Sequence, residues 1–263
     1  MLDIKVITHR GLDPDREPYF KESSFEAFRD QLKRGYGLEF DVQFSKNGEM
    51  IVSHDMNLDQ AHLTTLTKLL ELIEKKSVKG SLSALHLKHQ SQTPEKINQI
   101  LTALKKINHN KFIIFDVTIE SAKYIKNKAP KIQIAGSVSH HYDICRYNSA
   151  VGGTLLTLEE LIANKKLFSW TWLDEWDRTD KGRKTKSLYN KKTFDKLRKE
   201  KIKIALVTPE LHATSPGLLG GESHPDAQNR KKLNKRLAEI VALQPDAICT
   251  DYPDYISQLI TSL

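Results

Sequence analysis

Eight short, apolar runs rich in β-branched residues recur along the 263 residues, and each is followed by a segment with helical periodicity. No other feature narrows the choice of fold as far. The runs lie at 4–8, 38–44, 83–88, 112–117, 132–137, 168–173, 202–207 and 247–250. Each is short and sits before or between helical patterns, as strands buried on both faces of a parallel sheet do. Start signals mark the helices. Ser24 precedes Phe25-Glu26, and Thr93-Pro94-Glu95 puts proline at a first helical position. Further helical patterns cover 66–75, 119–128, 158–163, 193–199, 229–243 and 255–263. This arrangement predicts an α/β fold, a single (β/α)₈ barrel. A doubly wound sheet competes, because alternation does not decide closure; the chain length and the count of eight favour the barrel. No Pro/Gly/Ser-rich linker interrupts the chain, so residues 1–263 read as one domain, with long polar loops at 177–192 and 213–230.

Composition matters here for what it excludes. No apolar run approaches the ~20 residues of a membrane span. The start, MLDIKVITHR, is a strand pattern without the apolar core of a secretory signal, so a cytoplasmic protein is expected. Cys145 sits in a polar stretch and Cys249 ends an apolar run, which argues against a structural disulfide or a thiolate metal site. Lys plus Arg number 41 against 33 Asp plus Glu, a net charge of +8. That balance fits either solvated helix faces or attraction of anionic partners. The basic residues are dispersed, with no aromatic-interleaved stripe, so nucleic acid is not expected. Anionic lipid headgroups and phosphorylated small molecules remain as partners of that charge.

In a (β/α)₈ barrel the C-terminal strand ends carry the chemistry, and here they are dense in ionisable groups. The first strand runs into His9-Arg10-Gly11. The second contains Glu39-Phe40-Asp41, so both carboxylates share one face at period two. The turn Lys46-Asn47-Gly48 then opens a hairpin that ends at His54-Asp55. The third strand ends His86-Leu87-Lys88, and later ends add Asp116, His140, Asp174, Glu175, Glu210, His212 and Asp251. Two inward carboxylates repel unless a cation lies between them. Glu39 and Asp41 therefore read as ligands of Mg²⁺ or Ca²⁺, or else Glu39 joins Arg10 or Lys88 in a structural ion network. His9 and His54 titrate near neutrality and make a candidate acid/base pair. Arg10 can clamp a phosphoryl oxygen, with Lys88 as a second positive charge. Metal-assisted phosphoryl chemistry is the reading these residues give. Glu210 and His212 are taken to line the pocket, whereas Asp251 has a plainer reading as the N-cap of the last helix.

These motifs resemble the glycerophosphodiester phosphodiesterase family. The resemblance rests on His9-Arg10-Gly11, Glu22, Gly37-Leu38-Glu39-Phe40-Asp41-Val42, Asn47-Gly48, His54-Asp55 and the late Thr250-Asp251-Tyr252-Pro253. It implies a (β/α)₈ barrel and metal-dependent hydrolysis of glycerophosphodiesters, small-molecule or lysophospholipid-like, to glycerol phosphate and an alcohol. It further implies His9 and His54 as acid and base, Arg10 and Lys88 on the phosphate, and Glu39 and Asp41 on the metal. Glu22 would hold the loop after the first strand.

Two departures stand out. Where the family has Glu-x-Lys on the third strand, this chain has His86-Leu87-Lys88. Either His86 is the third ligand, which suits Mn²⁺ or Zn²⁺ better than Ca²⁺, or Glu175 or Glu210 supplies the carboxylate, or the site is weakened and the protein only binds a phosphate ligand. The family's small insertion after the His-Asp hairpin is also missing, which implies a more open pocket. A lipid phosphodiesterase of the same superfamily, releasing a cyclic phosphate, is the other enzyme reading.

Overall fold

The computed structural model describes residues 3–54, 63–175, 188–211 and 225–262. Eight parallel strands form the barrel: β1 Lys5–His9, β2 Gly37–Phe44, β3 Ser83–Leu87, β4 Phe112–Phe115, β5 Ala135–Ser139, β6 Trp170–Asp174, β7 Lys203–Val207 and β8 Ala247–Thr250. Each pairs in parallel with its ring neighbours, and β8 returns to β1 through Lys5 opposite Ala247 and Thr8 opposite Thr250. The β4–β5 seam is the thinnest join. There Ile114 and Ile134 form one isolated bridge, with the Ile114 amide donating to the Gln133 carbonyl at 3.0 Å. Within the apolar run at 132–137 the continuous strand begins at Ala135, after a turn in which the Ile132 amide donates to the Ala129 carbonyl.

Around the ring lie α1 Phe25–Lys33, α2 Leu66–Lys76, α3 Pro94–Leu104, α4 Ile119–Lys128, α5 His141–Tyr147, α6 Leu158–Ala163, α7 Lys191–Lys199, α8 Arg230–Ala242 and α9 Pro253–Thr261. The expected N-caps close the orphan amides. Ser24 accepts from the Ala27 amide and Thr93 from Lys96, and Thr157 with Glu160 forms a reciprocal capping box. Helix α5, seven residues long, has no counterpart among the sequence patterns. It and the two-residue strand Leu155–Leu156 lengthen the connection between β5 and α6.

Strand periodicity sorts side chains into two layers. Leu38, Phe40 and Val42 of β2, with Leu85 and Leu87 of β3, face the helices in the larger apolar cluster. Ile7, Ala84, Ile113, Phe115, Ala135, Trp170, Trp172, Ala205 and Ala247 fill the barrel interior, large rings opposite small side chains. By the same alternation Glu39, Asp41 and His86 point inward. At the start of β2 only glycine fits, since a Cβ on Gly37 would lie 1.7 Å from the Leu82 carbonyl oxygen.

Outside the barrel, an ion network ties the loop after β1 to α1 and α9. Arg16 bonds Asp30 through two nitrogens at 3.1 and 3.0 Å, and Arg34 reaches Asp13 at 2.7 Å and Asp254 at 2.6 Å. Burial pushes the Asp30 carboxyl up, but Arg16 and Arg34 outweigh it and hold the group below its ordinary 3.8. A carboxylate shifted down stabilises the fold above its unfolded value and loses that contribution as the pH falls through the folded one. Urea melts below about pH 4 should therefore show stability falling with acid, and less steeply in Asp30→Asn. An unchanged slope in that variant would remove Asp30 from the network's contribution.

Candidate active site

The mouth of the barrel is assembled from the ends of β1, β2, β3, β4 and β8. Register sets the first contacts: His9 lies opposite Glu39, and Asp41 opposite His86. The chain leaves β1 through two left-handed residues, Arg10 at φ 53° and Gly11 at φ 73°. That turn lets the Arg10 amide donate to the Glu39 carbonyl at 3.1 Å and to Glu39 Oε2 at 3.3 Å. A left-handed arginine is strained, and such strain concentrates at working sites.

His9, Arg10, Asp41 and Lys88 each have a defined partner in the mouth. His9 Nδ1 is 3.0 Å from Asp251 Oδ1, a contact across the β1–β8 closure. Lys88 Nζ lies 2.8 Å from Asp41 Oδ1, and Arg10 Nε is 3.4 Å from Asp41 Oδ2. Arg10 Nη1 also donates to Glu22 Oε2 at 3.4 Å, so Glu22 holds the guanidinium from the loop side. It is Asp41, more than Glu39, that meets the two cations expected for a structural network. The backbone leading to His54 is pinned by Gln43, whose amide donates to the Ser53 and His54 carbonyls at 2.8 and 2.7 Å. His54, His86, Lys88 and Asp116 line a cavity of ≈ 210 Å³ beside the mouth.

Charge state follows from these partners. Burial raises the Asp41 carboxyl, yet Lys88 and then His86 outweigh it and hold the group well below the carboxylate range. Glu39 is pushed up by burial and by the neighbouring Asp41 charge. Burial and Lys88 push the His86 imidazole down, but Asp116 and Asp41 dominate and raise it to about 9.

The first third of the chain has a match among known families. The sequence model of the glycerophosphoryl diester phosphodiesterase family matches residues 9–69, the stretch bearing His9, Arg10, Glu39, Asp41 and His54. Over those residues the chain is similar to that family. No curated protein sequence matches it. Solved structures extend the likeness of fold to the whole barrel. A proposed glycerophosphoryl diester phosphodiesterase of Silicibacter pomeroyi is 13% identical with a TM-score of 0.68, covering 99% of this chain and 94% of its own. A glycerophosphodiester phosphodiesterase of Parabacteroides distasonis is 16% identical with a TM-score of 0.62, over 99% and 98%. An Oleispira antarctica phosphodiesterase, solved with the product sn-glycerol-3-phosphate, is 16% identical with a TM-score of 0.63, over 98% and 96%.

The donors of this chain fit a divalent metal ion. Ligand atoms of Glu39, Asp41 and His86 all lie within 4.8 Å of one another. Two buried carboxylates on one strand face, one of them raised by the other's charge, gain from a cation between them. Of the other candidate carboxylates, Glu175 is committed to Arg236 at 3.0 Å. Glu210 Oε1 accepts from the hydroxyls of Thr208 and Thr250 and from the Asp251 amide, so Glu210 props the residue that meets His9. His212 and Asp55 lie outside the described residues.

Two partners are legible only in space. Asp251 does not cap the last helix: Tyr252 is its N-cap residue, with no side-chain bond, and the Asp251 carboxylate turns to His9 instead. The late Thr-Asp-x-Pro motif could have pointed there. Asp116 lies 2.9 Å from His86 Nε2, and nothing in its strand's pattern announces that contact. Among the described residues no helix is long and apolar enough to cross a membrane.

Proposed function

We propose that this protein is a divalent-metal-dependent phosphodiesterase that cleaves glycerophosphodiesters into glycerol phosphate and an alcohol. One observation carries the reading: two histidines, a carboxylate pair with His86, and the cations Arg10 and Lys88 all belong to one barrel mouth, with His9 oriented by Asp251. A phosphodiester is an anion, and Arg10 and Lys88 offset the acidic pair that would otherwise repel it. Arg10 offers a planar fork for two phosphoryl oxygens, and Lys88 a point charge. Glu39, Asp41 and His86 would hold the ion. When bound, a divalent ion supplies positive charge to the phosphoryl oxygens as negative charge builds on them. Mg²⁺ or Ca²⁺ suits the carboxylates, and the imidazole admits Mn²⁺ or Zn²⁺.

The histidines carry the protons. One imidazole takes the proton of the neighbouring glycerol hydroxyl as its oxygen bonds phosphorus, while the other protonates the departing alkoxide. A cyclic phosphate results, and water opens it with the two roles reversed. Asp251 on Nδ1 leaves His9 Nε2 to face substrate. Glu210 and His212 are assigned to the substrate side of the pocket, Glu210 acting through Asp251.

The test is turnover of glycerophosphocholine with Mg²⁺, Ca²⁺, Mn²⁺ or Zn²⁺ against a chelated control. Glycerol phosphate released only with metal is the expected result. Accumulated cyclic phosphate would move the protein to the lipid phosphodiesterase reading. Folded protein that is silent with every ion, on this and on a generic diester, would sink the hydrolase assignment.

A further inference from the structure

The imidazole of His86 is held from both ends and from one face. Nδ1 lies 2.7 Å from Asp41 Oδ1 on β2, and Nε2 lies 2.9 Å from Asp116 Oδ2 at the end of β4. The ring stacks on Phe115 at 4.9 Å between centroids, and Phe115 stacks on Trp172 at 4.0 Å across the barrel. Its plane is therefore set by packing, and each ring nitrogen faces a carboxylate.

Asp116 is itself clamped. Its φ of 56° is left-handed, a conformation that aspartate tolerates better than most residues. Its amide donates to Ser137 Oγ at 3.1 Å, and its carbonyl accepts from Gln92 Nε2 at 2.6 Å. The other end of the Gln92 amide accepts from Thr118 at 3.0 Å, which ties β3, β4 and α4 together around this residue. The turn sends the carboxylate back over the mouth to the side of His86 that faces away from Asp41.

We propose that Asp116 is the positioning residue of the metal site: it accepts the Nε2 proton of His86, so that Nδ1 presents its lone pair to the point shared by Glu39 and Asp41. This rests on the reading above that those three residues hold a divalent ion. A metal-bound histidine commonly gives its other N–H to a carboxylate, which fixes both tautomer and ring direction. Asp116 is not itself among the residues whose donor atoms cluster within 4.8 Å, so it acts behind the ligand. The carboxylate lost where the family has Glu thus returns one layer out, supplied by the neighbouring strand.

Mn²⁺ binding to the full-length chain tests this. Asp116→Asn should weaken Mn²⁺ roughly 10–100-fold, and Asp116→Glu should recover part of the loss. Asparagine suits the left-handed backbone, so the variant should remain folded at the temperature of the titration. In a His86→Glu background no imidazole is left to orient, and Asp116→Asn should then change Mn²⁺ affinity by less than about twofold. In the Zn²⁺-loaded protein, ¹⁵N NMR should place the remaining His86 proton on Nε2. Equal loss in both backgrounds would reduce Asp116 to a general negative charge and overturn the assignment. So would a proton on Nδ1 in the loaded protein, or Mn²⁺ binding indifferent to Asp116→Asn. Wild-type protein that binds neither Mn²⁺ nor Zn²⁺ would instead overturn the metal reading, and this assignment with it.

Discussion

His54→Ala should lower kcat for glycerophosphodiester cleavage by roughly 10²–10⁴-fold, the usual contribution of a positioned proton carrier. KM and the melting temperature should change little, because the residue ends a hairpin whose backbone is held independently by Gln43. The pH–rate profile should lose one limb of its bell, since one of the two titrating groups is gone. His9→Ala should cost as much and remove the other limb. Asp251→Asn should lie between wild type and His9→Ala, because it leaves the imidazole in place and disturbs only its orientation and charge. Near-normal turnover by His54→Ala would dismiss the acid/base assignment, whatever the metal. A fall in kcat matched by a fall in melting temperature would instead mark His54 as structural.

Arg236→Ala should destabilise the fold by about 3–5 kcal/mol, the range seen when one partner of a buried ion pair is removed. Arg236 on α8 meets Glu175 at 3.0 Å, and the two side chains are only 7% and 2% exposed. It also contacts Glu239 at 3.1 Å and spans the ring of Tyr189. Deleting the guanidinium removes the Arg236 charge from a Glu175 carboxylate buried where β6 ends, while the Tyr189 amide still donates to its Oε2 at 3.3 Å. In a chain of this size the melting temperature should fall on the order of 10 °C. Adding Glu175→Gln should restore part of the loss by removing the stranded charge, which separates this explanation from simple loss of arginine packing. A drop below about 1 kcal/mol in Arg236→Ala would show that water or Tyr189 compensates the carboxylate.

Both expectations draw on residues that differ in how visible they are in the primary structure. His9, Arg10, Glu39, Asp41, His54 and Lys88 sit at strand ends in a local pattern. Period-two alternation within β2 is enough to put Glu39 and Asp41 on one face and Leu38, Phe40 and Val42 on the other. The eight strands and most helices are legible for the same reason, since burial on both strand faces and on one helix face imposes a period on neighbours in the chain. Ala247–Thr250 and Ile119–Lys128 match their sequence patterns end to end.

Contacts across the ring have no such local trace. Asp251 and His9 are 242 residues apart, and they meet only because β8 closes against β1. Asp116 reaches His86 because Ser137 and Gln92 hold its backbone in a left-handed turn, and a single aspartate after an apolar run looks the same whether it caps a helix or orients a ligand. Glu175, a candidate metal ligand in the linear pattern, is taken up by an arginine on α8, 61 residues away. The residue types that local periodicity places in the barrel mouth follow from the order of the amino acids. Which of them touch, and therefore which titrate, ligate or merely support, follows from barrel closure, because those energies depend on distances that sequence spacing does not encode.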